Sequence, residues 1–532
     1  MIRLTNLTIN VNKIRNDEEE ERLLRHLIIK KLKMPARDLL DYSIYKKSID
    51  ARKKPQIFYN YTLDISVTNE AALLNKHPNL KPSPDLSYKN VTKGSQLMAN
   101  RPLIIGTGPA GLAAGLLLAR NGYKPLILER GAAVEERSQS IRHFWQGGSL
   151  DPNTNVQFGE GGAGTFSDGK LTTLINDIRC QVILRELVAA GAPQEILYQH
   201  KPHIGTDRLK IIVKNIRNRI IAYGGEVRFN SLVTDFIIEK QEIKGVIINH
   251  AEPVNAEVVL LAIGHSARDT VQVLYEKGVK IHPKSFAIGL RIEHPQSLIN
   301  RAQYGDNPHP NLGAAEYKLA YHSPNGRSAY TFCMCPGGQV VAAASEEGKL
   351  VTNGMSKSKR DGSNANAALL VGVNPADYGS DEPLAGIAFQ RKYEKLAYSL
   401  GGANYRAPAQ LTGDFLLGRA SQGLGEVLPS YEPGITLTKL DNVLPDYVIA
   451  TLREAIPYFA KRLRGFDRYD SILTGVETRT SAPIRITRDS KGVSNIKGLY
   501  PVGEGAGYAG GIMSSALDGI KAAEKVIQEY SN

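Results

Sequence analysis

The sequence predicts an α/β protein in three parts: a small N-terminal α+β domain, a discontinuous parallel-sheet domain, and a mixed-β domain inserted into the latter. Residues 103–129 read as strand, glycine-rich turn, helix and second strand. Residues 496–527 read as strand, glycine-rich turn and closing helix, which returns the chain to the same sheet. Between these segments, from about 275 to 480, short β segments alternate with irregular stretches, a pattern typical of an inserted domain.

The composition is that of an ordinary globular protein with two or three domains. The 532 residues are 42% hydrophobic and 22% charged. The formal charge of +13 favours an acidic cofactor or substrate, or weak attraction to nucleic acid or anionic membrane. Three cysteines exclude a disulfide framework and suit a reducing compartment. No signal-peptide pattern or membrane span is recognisable, so we expect a cytoplasmic protein.

Residues 1–75 are predicted to form the small α+β domain. Asn16 and Glu19 make an Asn-x-x-Glu cap before a helix that runs to about Lys33. Apolar residues alternate without a break from Ile57 to Val67, which indicates a half-buried strand. The basic segment KKSIDARKK, residues 46–54, is either a solvated face or an RNA-binding patch. A Pro-rich linker is expected over residues 76–98.

The glycine-rich unit predicts a dinucleotide cofactor. Gly106, Gly108 and Gly111 form G-x-G-x-x-G between an apolar strand and a helix that opens with Pro109. Gly108 lets a pyrophosphate approach the backbone, and the helix N-terminus directs free N–H groups at the phosphates. Glu129 ends the second strand, where it can accept hydrogen bonds from a ribose. A packed Gly-rich hairpin is the alternative interpretation.

Three dispersed segments, residues 103–129, 258–264 and 498–519, together resemble the FAD-containing branch of the two-dinucleotide-binding-domain flavoprotein superfamily. LAIGHSA is similar to a short Ala-Thr-Gly motif with Ile263 at the threonine. LYPVGEGAGYAGGI is similar to the motif whose acid binds the flavin ribityl chain, with Glu504 where Asp is usual. The resemblance implies a discontinuous Rossmann-like FAD domain over residues 99–274 and 481–532, with an inserted mixed-β substrate domain over residues 275–480.

Further segments resemble a bacterial family of FAD-dependent dehydrogenases with no defined substrate. They are KKSIDARKKP, QFGEGGAGTFSDGKL, IGLRIEHPQ, FCMCPGGQVV, TNGMS and GVETRTSAPIRI. This resemblance implies FAD as cofactor and names no reaction. The residues expected to hold the cofactor are Gly106, Gly108, Pro109, Ala110, Gly111, Glu129, Arg130, Arg137, Gly162, Ala163, Gly164, Thr165, Val233, Ala262, Gly264, Gly503, Glu504, Gly510, Gly511 and Ile512.

Four residues are candidates for chemistry. Lys170 and Asp168 lie in the glycine-rich segment GEGGAGTFSDGKL, where Lys170 would stabilise reduced, anionic flavin or would simply pair with Asp168 on the surface. His265 follows a strand end. It is either a functional residue, as an acid/base group or a hydrogen-bond donor to a phosphate, or a surface loop residue. Tyr508 precedes the closing helix and either lines the substrate face or packs.

The inserted domain carries weaker candidates. Cys333 and Cys335 form C-x-C, whose side chains share one face of a regular strand. We expect buried small residues there rather than a thiol pair over the flavin. Arg291 in LRIEHP and Arg479 in ETRTSAP could bind a carboxylate substrate or form ordinary structural pairs. The cysteine spacing offers no metal site.

The function predicted from the sequence is an FAD-dependent oxidoreductase. It would move a hydride or electrons between a small organic substrate and the N5 edge of the flavin. The positive charge of the protein favours an anionic substrate. Two alternatives stay open: a flavin-dependent RNA-modifying enzyme, suggested by the basic segment, and a non-enzymatic flavin redox sensor. The sequence determines neither the substrate nor the oligomeric state.

Overall fold

The computed structural model describes residues 1–532 and begins with a four-stranded antiparallel sheet. The order of its strands is β2 (Leu39–Lys53), β3 (Gln56–Val67), β1 (Ile2–Asn10) and β4 (Lys81–Pro82). The predicted helix is capped as expected, since the Asn16 side chain accepts a hydrogen bond from the Glu19 N–H at 2.9 Å. Every second residue of the alternating strand is buried, also as predicted. The elements are β1 (Ile2–Asn10), α1 (Asp17–Leu32), β2 (Leu39–Lys53), β3 (Gln56–Val67), α2 (Glu70–Lys76) and β4 (Lys81–Pro82).

The next section of the chain builds most of the Rossmann-like unit. Its elements are β5 (Gln96–Leu97), β6 (Leu103–Ile105), α3 (Pro109–Arg120), β7 (Leu126–Leu128), α4 (Val134–Trp145), α5 (Arg179–Ala189), α6 (Thr206–Ala222), β8 (Glu226–Arg228), β9 (Val233–Glu239), β10 (Glu242–Ile248), β11 (Glu252–Asn255), β12 (Val259–Leu261) and α7 (Arg268–Glu276). Strands β9 and β10 form an antiparallel hairpin, which β11 extends to three strands.

The inserted section is centred on a seven-stranded sheet of order β15-β16-β19-β14-β22-β20-β21, antiparallel except for the β20–β21 pair. Its elements are β13 (Ile281–Pro283), β14 (Phe286–Pro295), α8 (Gln296–Tyr304), β15 (Ala320–His322), β16 (Ser328–Cys335), β17 (Gly338–Ala342), β18 (Thr352–Ser356), β19 (Asn364–Val373), α9 (Ala385–Leu400), β20 (Ala407–Leu411), α10 (Thr412–Leu416), β21 (Ile435–Leu437), α11 (Asp446–Ala460), β22 (Ile472–Glu477) and β23 (Ile484–Ile486). Helices α8 to α11 lie in a section for which the sequence predicted only short β segments and irregular stretches.

The chain returns through β24 (Leu499–Pro501), α12 (Ile512–Glu529) and β25 (Tyr530–Ser531). The parallel sheet then has the order β24-β12-β6-β7-β8. Helices α3 and α12 pack closely because glycines leave room: a Cβ at Gly519 would lie 2.1 Å from the Ala110 carbonyl oxygen. The carboxyl ends of β6, β12 and β24 therefore meet at one edge, where open α/β sheets bind ligands.

The apolar cores show how the parts join. Two clusters, of 36 and 22 buried residues, flank the parallel sheet. A third cluster of 70 buried residues is shared by the N-terminal sheet and the inserted section, so the two pack together. The domain boundaries given above stay a prediction. None of the helices combines the length and apolar composition needed to cross a membrane.

Candidate functional site

A deep cleft opens where the parallel sheet meets the inserted sheet. Its cavity volume is about 510 Å³, within the range of roughly 300–1,000 Å³ for small-molecule sites. One wall comes from the ends of β6 and β12 and the start of α12, and the other from β16 and the end of β22. The cleft is therefore a composite of the two sections rather than a property of either one.

The turn after β6 is shaped to receive a phosphate group. Gly106 has φ +102° and a Cβ there would lie 2.4 Å from the Ala262 carbonyl oxygen, so only glycine fits. Gly108 has φ −67° and no neighbouring atom within 4 Å of its Cβ position. The protein itself thus leaves this space open. Helix α3 starts there with no side-chain cap, which leaves N–H groups free for an anion.

The start of α12 repeats this arrangement on the other side of the cleft. Gly511 is its N-cap and makes no side-chain cap hydrogen bond. Gly510 and Gly511 both have open space at their Cβ positions, and both line the cleft. Two uncapped helix N-termini therefore face one cavity. These open glycines and free donors fit a dinucleotide cofactor.

Glu129 is more heavily engaged than the sequence suggested. Its carboxylate accepts from the Thr107 N–H and hydroxyl at 2.9 and 2.6 Å, and from the N–H groups of Gly131 and Gly159, both at 3.0 Å. Four protein donors occupy about all the lone-pair sites of a carboxylate. Glu129 lines the cleft, but its evident task is to tie the β6 turn to the loop after α4. Ribose binding by Glu129 stays a prediction.

Arg137 does not line the cleft, contrary to the expectation that it would hold the cofactor. Its side chain is fully buried and donates to the carbonyl oxygens of the loop that holds the glycine-rich segment. The acceptors are Asn155, Val156, Gly159, Glu160 and Gly162. With every donor used on the backbone, Arg137 shapes the loop and leaves none for an anion. Arg130 does line the cleft, stacks on Phe158 and bonds Asp269 at 2.5 Å.

The structure brings most of the predicted site residues to one surface. Those lining the cleft are Gly106, Gly108, Pro109, Ala110, Glu129, Arg130, Gly162, Ala163, Gly164, Asp168, Lys170, Val233, Ala262, Gly264, His265, Glu504, Gly510, Gly511 and Ile512. Those that do not line it are Gly111, Arg137, Thr165, Gly503 and Tyr508.

The residues outside the cleft have structural partners. A Cβ at Gly111 would lie 1.9 Å from the Gly106 carbonyl oxygen, so this glycine serves packing within the turn. The Thr165 hydroxyl donates to the Glu160 carbonyl oxygen at 3.3 Å, and the Gly503 N–H donates to Asp518 at 2.7 Å. Tyr508 stacks against Arg488 at 3.8 Å and does not line the cleft, so of its two predicted roles the structure shows packing and not a position on the substrate face.

Asp168 and Lys170 are not a surface pair. Asp168 is fully buried and is bonded by Ser356 and by the Arg360 guanidinium, whose Nε lies 2.9 Å away. Burial alone would raise the pKa of Asp168, but Arg360 holds it below its usual range. Lys170 instead donates to the Met334 carbonyl oxygen and lies 3.7 Å from Glu316. It is therefore a partly exposed cation in the cleft wall.

His265 lies in the turn after β12, but its side chain is largely shielded from solvent, so the alternative of a surface residue was wrong. Its side chain is 10% exposed, and Nδ1 lies 3.6 Å from the Glu504 carboxylate while Nε2 has no hydrogen-bond partner. Burial, together with nearby Arg479 and Arg268, lowers the pKa of His265 to about 3, so the ring is neutral. Burial also raises the pKa of Glu504 to about 7, against the opposing effect of Lys284.

The expectation that Cys333 and Cys335 share one face was wrong. A bulge falls between Phe332 and Cys335 in the pairing of β16 with β19, and Cys333 has φ +42°. Cys333 consequently lines the cleft, whereas Cys335 is fully buried and donates to the Cys333 carbonyl oxygen. The Cys335 thiol contact and the Arg291 guanidinium lower the pKa of Cys333 to about 6, although burial opposes them.

Arg291 and Arg479 are structural cations rather than free anion binders. Arg291 is fully buried beside Glu477, at 3.0 Å, and also donates to the Cys333 carbonyl oxygen. Arg479 and Arg268 both form salt bridges with Glu394, each at 2.9 Å or closer. Since Arg268 belongs to α7 and Glu394 to α9, this network joins the Rossmann-like unit to the inserted section. No local sequence signal could have identified these partners.

Comparison with known proteins follows the same division of the chain. Residues 285–480 match the model of the C-terminal-like domain of FAD-dependent proteins, and residues 104–164 match an NAD(P)-binding Rossmann-like domain. Residues 1–66 match a domain of unknown function. An uncharacterized protein from Clostridium beijerinckii is 49% identical over 538 residues, which cover 99% of each chain. The chain belongs to this family of FAD-dependent flavoproteins. Its cofactor is FAD.

Other proteins match this FAD-dependent protein at lower identity. The digeranylgeranylglycerophospholipid reductase of Haloferax volcanii is 26% identical over 260 residues, which cover 43% of this chain and 56% of the reductase. A solved structure of a triple mutant of the flavin-dependent brominase Bmp2 is 15% identical, with a TM-score of 0.35 and 80% of each chain covered.

Proposed function

We propose that this protein is a dehydrogenase that transfers a hydride between a small organic substrate and its FAD. When bound, FAD supplies the electron-accepting chemistry. The observation that carries the proposal is the composite cleft: glycine-lined helix N-termini on one wall face ionisable side chains of the inserted section on the other. A redox site needs both a cofactor cradle and a second wall that orients a substrate.

The chain's own residues can manage the proton that accompanies hydride transfer. Glu504 has its pKa raised to about 7 by burial, so near neutral pH it can hold or release a proton. His265 is neutral and keeps Nε2 free of protein partners. We therefore assign the proton-transfer role to Glu504 and a hydrogen-bonding role to His265.

The test is an anaerobic screen of metabolite classes against the purified, FAD-loaded protein. A substrate should bleach the oxidised flavin absorbance, and re-oxidation should restore it. The variant Glu504→Gln should slow bleaching while retaining FAD, whereas Asn325→Gln, outside the cleft, should behave as the unmodified protein. Failure of every class of reduced organic compound to bleach the flavin would argue against a dehydrogenase.

The RNA-modifying alternative has weaker support. Two cations of the basic segment are already paired: Lys47 lies 2.6 Å from Glu20, and Arg52 lies 2.6 Å from Asp50. Paired cations contribute little to phosphate binding, since binding would have to replace the existing partner. We find no specific observation that favours a redox sensor without a substrate.

A further inference from the structure

One group of charged residues in the cleft lining, three lysines and one glutamate, carries more positive than negative charge, and we call this part of the lining the mouth. Lys170, Lys201 and Lys318 line it together with Glu316. The Glu316 carboxylate lies 2.5 Å from the Lys201 ammonium group and 3.7 Å from that of Lys170. One negative charge is therefore shared between two positive charges. Lys318 is exposed and makes no ion pair. An anion that enters here meets a net positive wall.

The N-terminal domain holds the two segments that carry this wall. Strand β2 is an edge strand of its sheet, and Lys47 pairs with the segment before Lys201: the Lys47 N–H donates to the Tyr198 carbonyl oxygen at 2.8 Å, and the His200 N–H donates to the Lys47 carbonyl oxygen at 2.9 Å. Such edge pairing fixes the course of an extended segment.

The second segment, which leads to Glu316 and Lys318, is held in the same way. The Tyr59 hydroxyl of β3 donates to the Asn311 carbonyl oxygen at 2.6 Å. The Asn311 side chain donates in turn to the Ile14 carbonyl oxygen at 2.9 Å. The ion pair between Lys201 and Glu316 thus joins two segments that are each anchored to the N-terminal domain.

The same mouth presents apolar side chains to solvent. Leu174 is 97% exposed and Phe332 is 39% exposed, and both line the cleft. Exposed apolar groups beside a site of net positive charge complement a molecule that has both an anionic group and a hydrocarbon part. A fully polar anion would leave these apolar groups in water.

We propose that the mouth is a binding site for an amphipathic organic carboxylate, and that the N-terminal domain positions its lysine wall. Lys318, which has no ion-pair partner, binds the carboxylate, and the ammonium group of Lys201 adds positive charge beside it although it is paired with Glu316. Leu174 and Phe332 cover the hydrocarbon part. The claim that this carboxylate is the substrate rests on the dehydrogenase function proposed above. The claim that it binds at the mouth does not depend on that function.

The test titrates the FAD-loaded full-length protein with decanoate, decanol and acetate, following the flavin absorbance spectrum and the heat of binding. Decanoate should bind more tightly than either decanol, which lacks the charge, or acetate, which lacks the chain. The double variant Lys201→Met, Lys318→Met should weaken decanoate binding about tenfold, which corresponds to about 1.4 kcal/mol, and leave decanol unchanged. The matched control Lys53→Met, Lys491→Met removes two exposed lysines outside the cleft and should bind decanoate normally.

The role of the N-terminal domain is tested by Tyr59→Phe, which removes the hydroxyl contact to Asn311. The preference for decanoate over decanol should fall severalfold while FAD content and melting temperature stay unchanged; Tyr45→Phe is the control. An unchanged preference would remove the N-terminal domain from the proposal.

Decanoate that fails to bind, or binds no better than decanol, would overturn the anion site. If decanoate binds as expected but no compound bleaches the flavin, the dehydrogenase function fails and the site stands.

Discussion

The Nδ1 atom of His265 lies 3.6 Å from the carboxylate of Glu504, and the two groups have pKa values shifted in opposite directions. Burial lowers the pKa of the histidine and raises that of the acid, since burial disfavours the charged form of each. At neutral pH a neutral imidazole therefore faces a carboxyl group that is near its midpoint. This pair gives the cleft a proton that can be exchanged in the physiological range.

We predict that the flavin reduction potential of the unmodified protein shows an inflection near pH 7. Glu504, with a pKa raised to about 7, is neutral below that pH and a carboxylate above it. Negative charge above pH 7 opposes reduction, so the potential should fall there by more than the proton uptake of the flavin alone requires. Spectroelectrochemical titration of Glu504→Gln should show no such inflection. Burial also raises the pKa of Glu477 to about 7, so Glu477→Gln is the control, and an inflection lost only in that variant would contradict the assignment.

Replacing Gly108 by valine should abolish FAD binding without unfolding the protein. Its φ of −67° suits any residue and its Cβ position meets no protein atom, so the side chain would fill only the space expected for the pyrophosphate. Flavin absorbance after gel filtration measures the effect. Gly423→Val is the control, since that glycine also has open space but lies outside the cleft. Retention of FAD by Gly108→Val would place the phosphates elsewhere.

We predict that Lys170→Met lowers the flavin potential by some tens of millivolts and leaves the site filled. The lysine and the N-terminus of α12 are expected to favour the negative charge of reduced flavin together. A helix terminus contributes roughly 0.3–1 kcal/mol, or up to about 2 when partly buried. About 1.4 kcal/mol corresponds to about 30 mV for a two-electron couple. Because Glu316 lies 3.7 Å from Lys170, part of the effect is offset. If the flavin potential is unchanged in this variant, Lys170 has only a structural role, as the partner of Met334 and Glu316.

The two cysteines of the inserted section should not form a redox relay. Cys335 is fully buried behind Cys333, and the hydrogen bond with the neighbouring Cys333 thiol together with burial raises the pKa of Cys335 well above the usual value. The double variant Cys333→Ser, Cys335→Ser should therefore keep the reduction behaviour of the flavin. Iodoacetamide should nevertheless label Cys333 with a midpoint near pH 6, because its pKa is lowered. Loss of turnover with intact FAD in the double variant would indicate a dithiol mechanism.

A chain that begins near residue 90 should still bind FAD. The two apolar clusters that flank the parallel sheet contain no residue before Val91. Its melting temperature should fall, since the third cluster is shared between the N-terminal sheet and the inserted section and would be exposed. Flavin content and thermal unfolding measure both effects. A folded but flavin-free product would mean that the N-terminal part belongs to the core of the FAD domain.

Features that depend on a few neighbouring residues were predictable. The cap at Asn16, the buried alternation of β3 and the glycines of the β6 turn appear in the structure as the sequence suggested. Each is a local requirement: a donor within one helical turn, a period of two residues, or a backbone conformation that excludes a Cβ. The match to the family model of FAD-dependent proteins then confirmed FAD as the cofactor.

The partners of buried charges were not predictable. Asp168 accepts hydrogen bonds from Arg360, 192 residues away, although Lys170 is its neighbour in sequence. The Arg137 guanidinium donates to loop carbonyl oxygens and not to an anion. Tyr508 stacks on Arg488 instead of facing the cleft.

By itself, the sequence determined the nucleotide-binding unit, the order of the parts and the local geometry of the glycine turns. The tertiary structure decided which ionisable groups share the cleft, which of them are paired and which stay free. The physical reason is that backbone preferences act over a few residues, whereas desolvation and ion pairing depend on how distant elements pack.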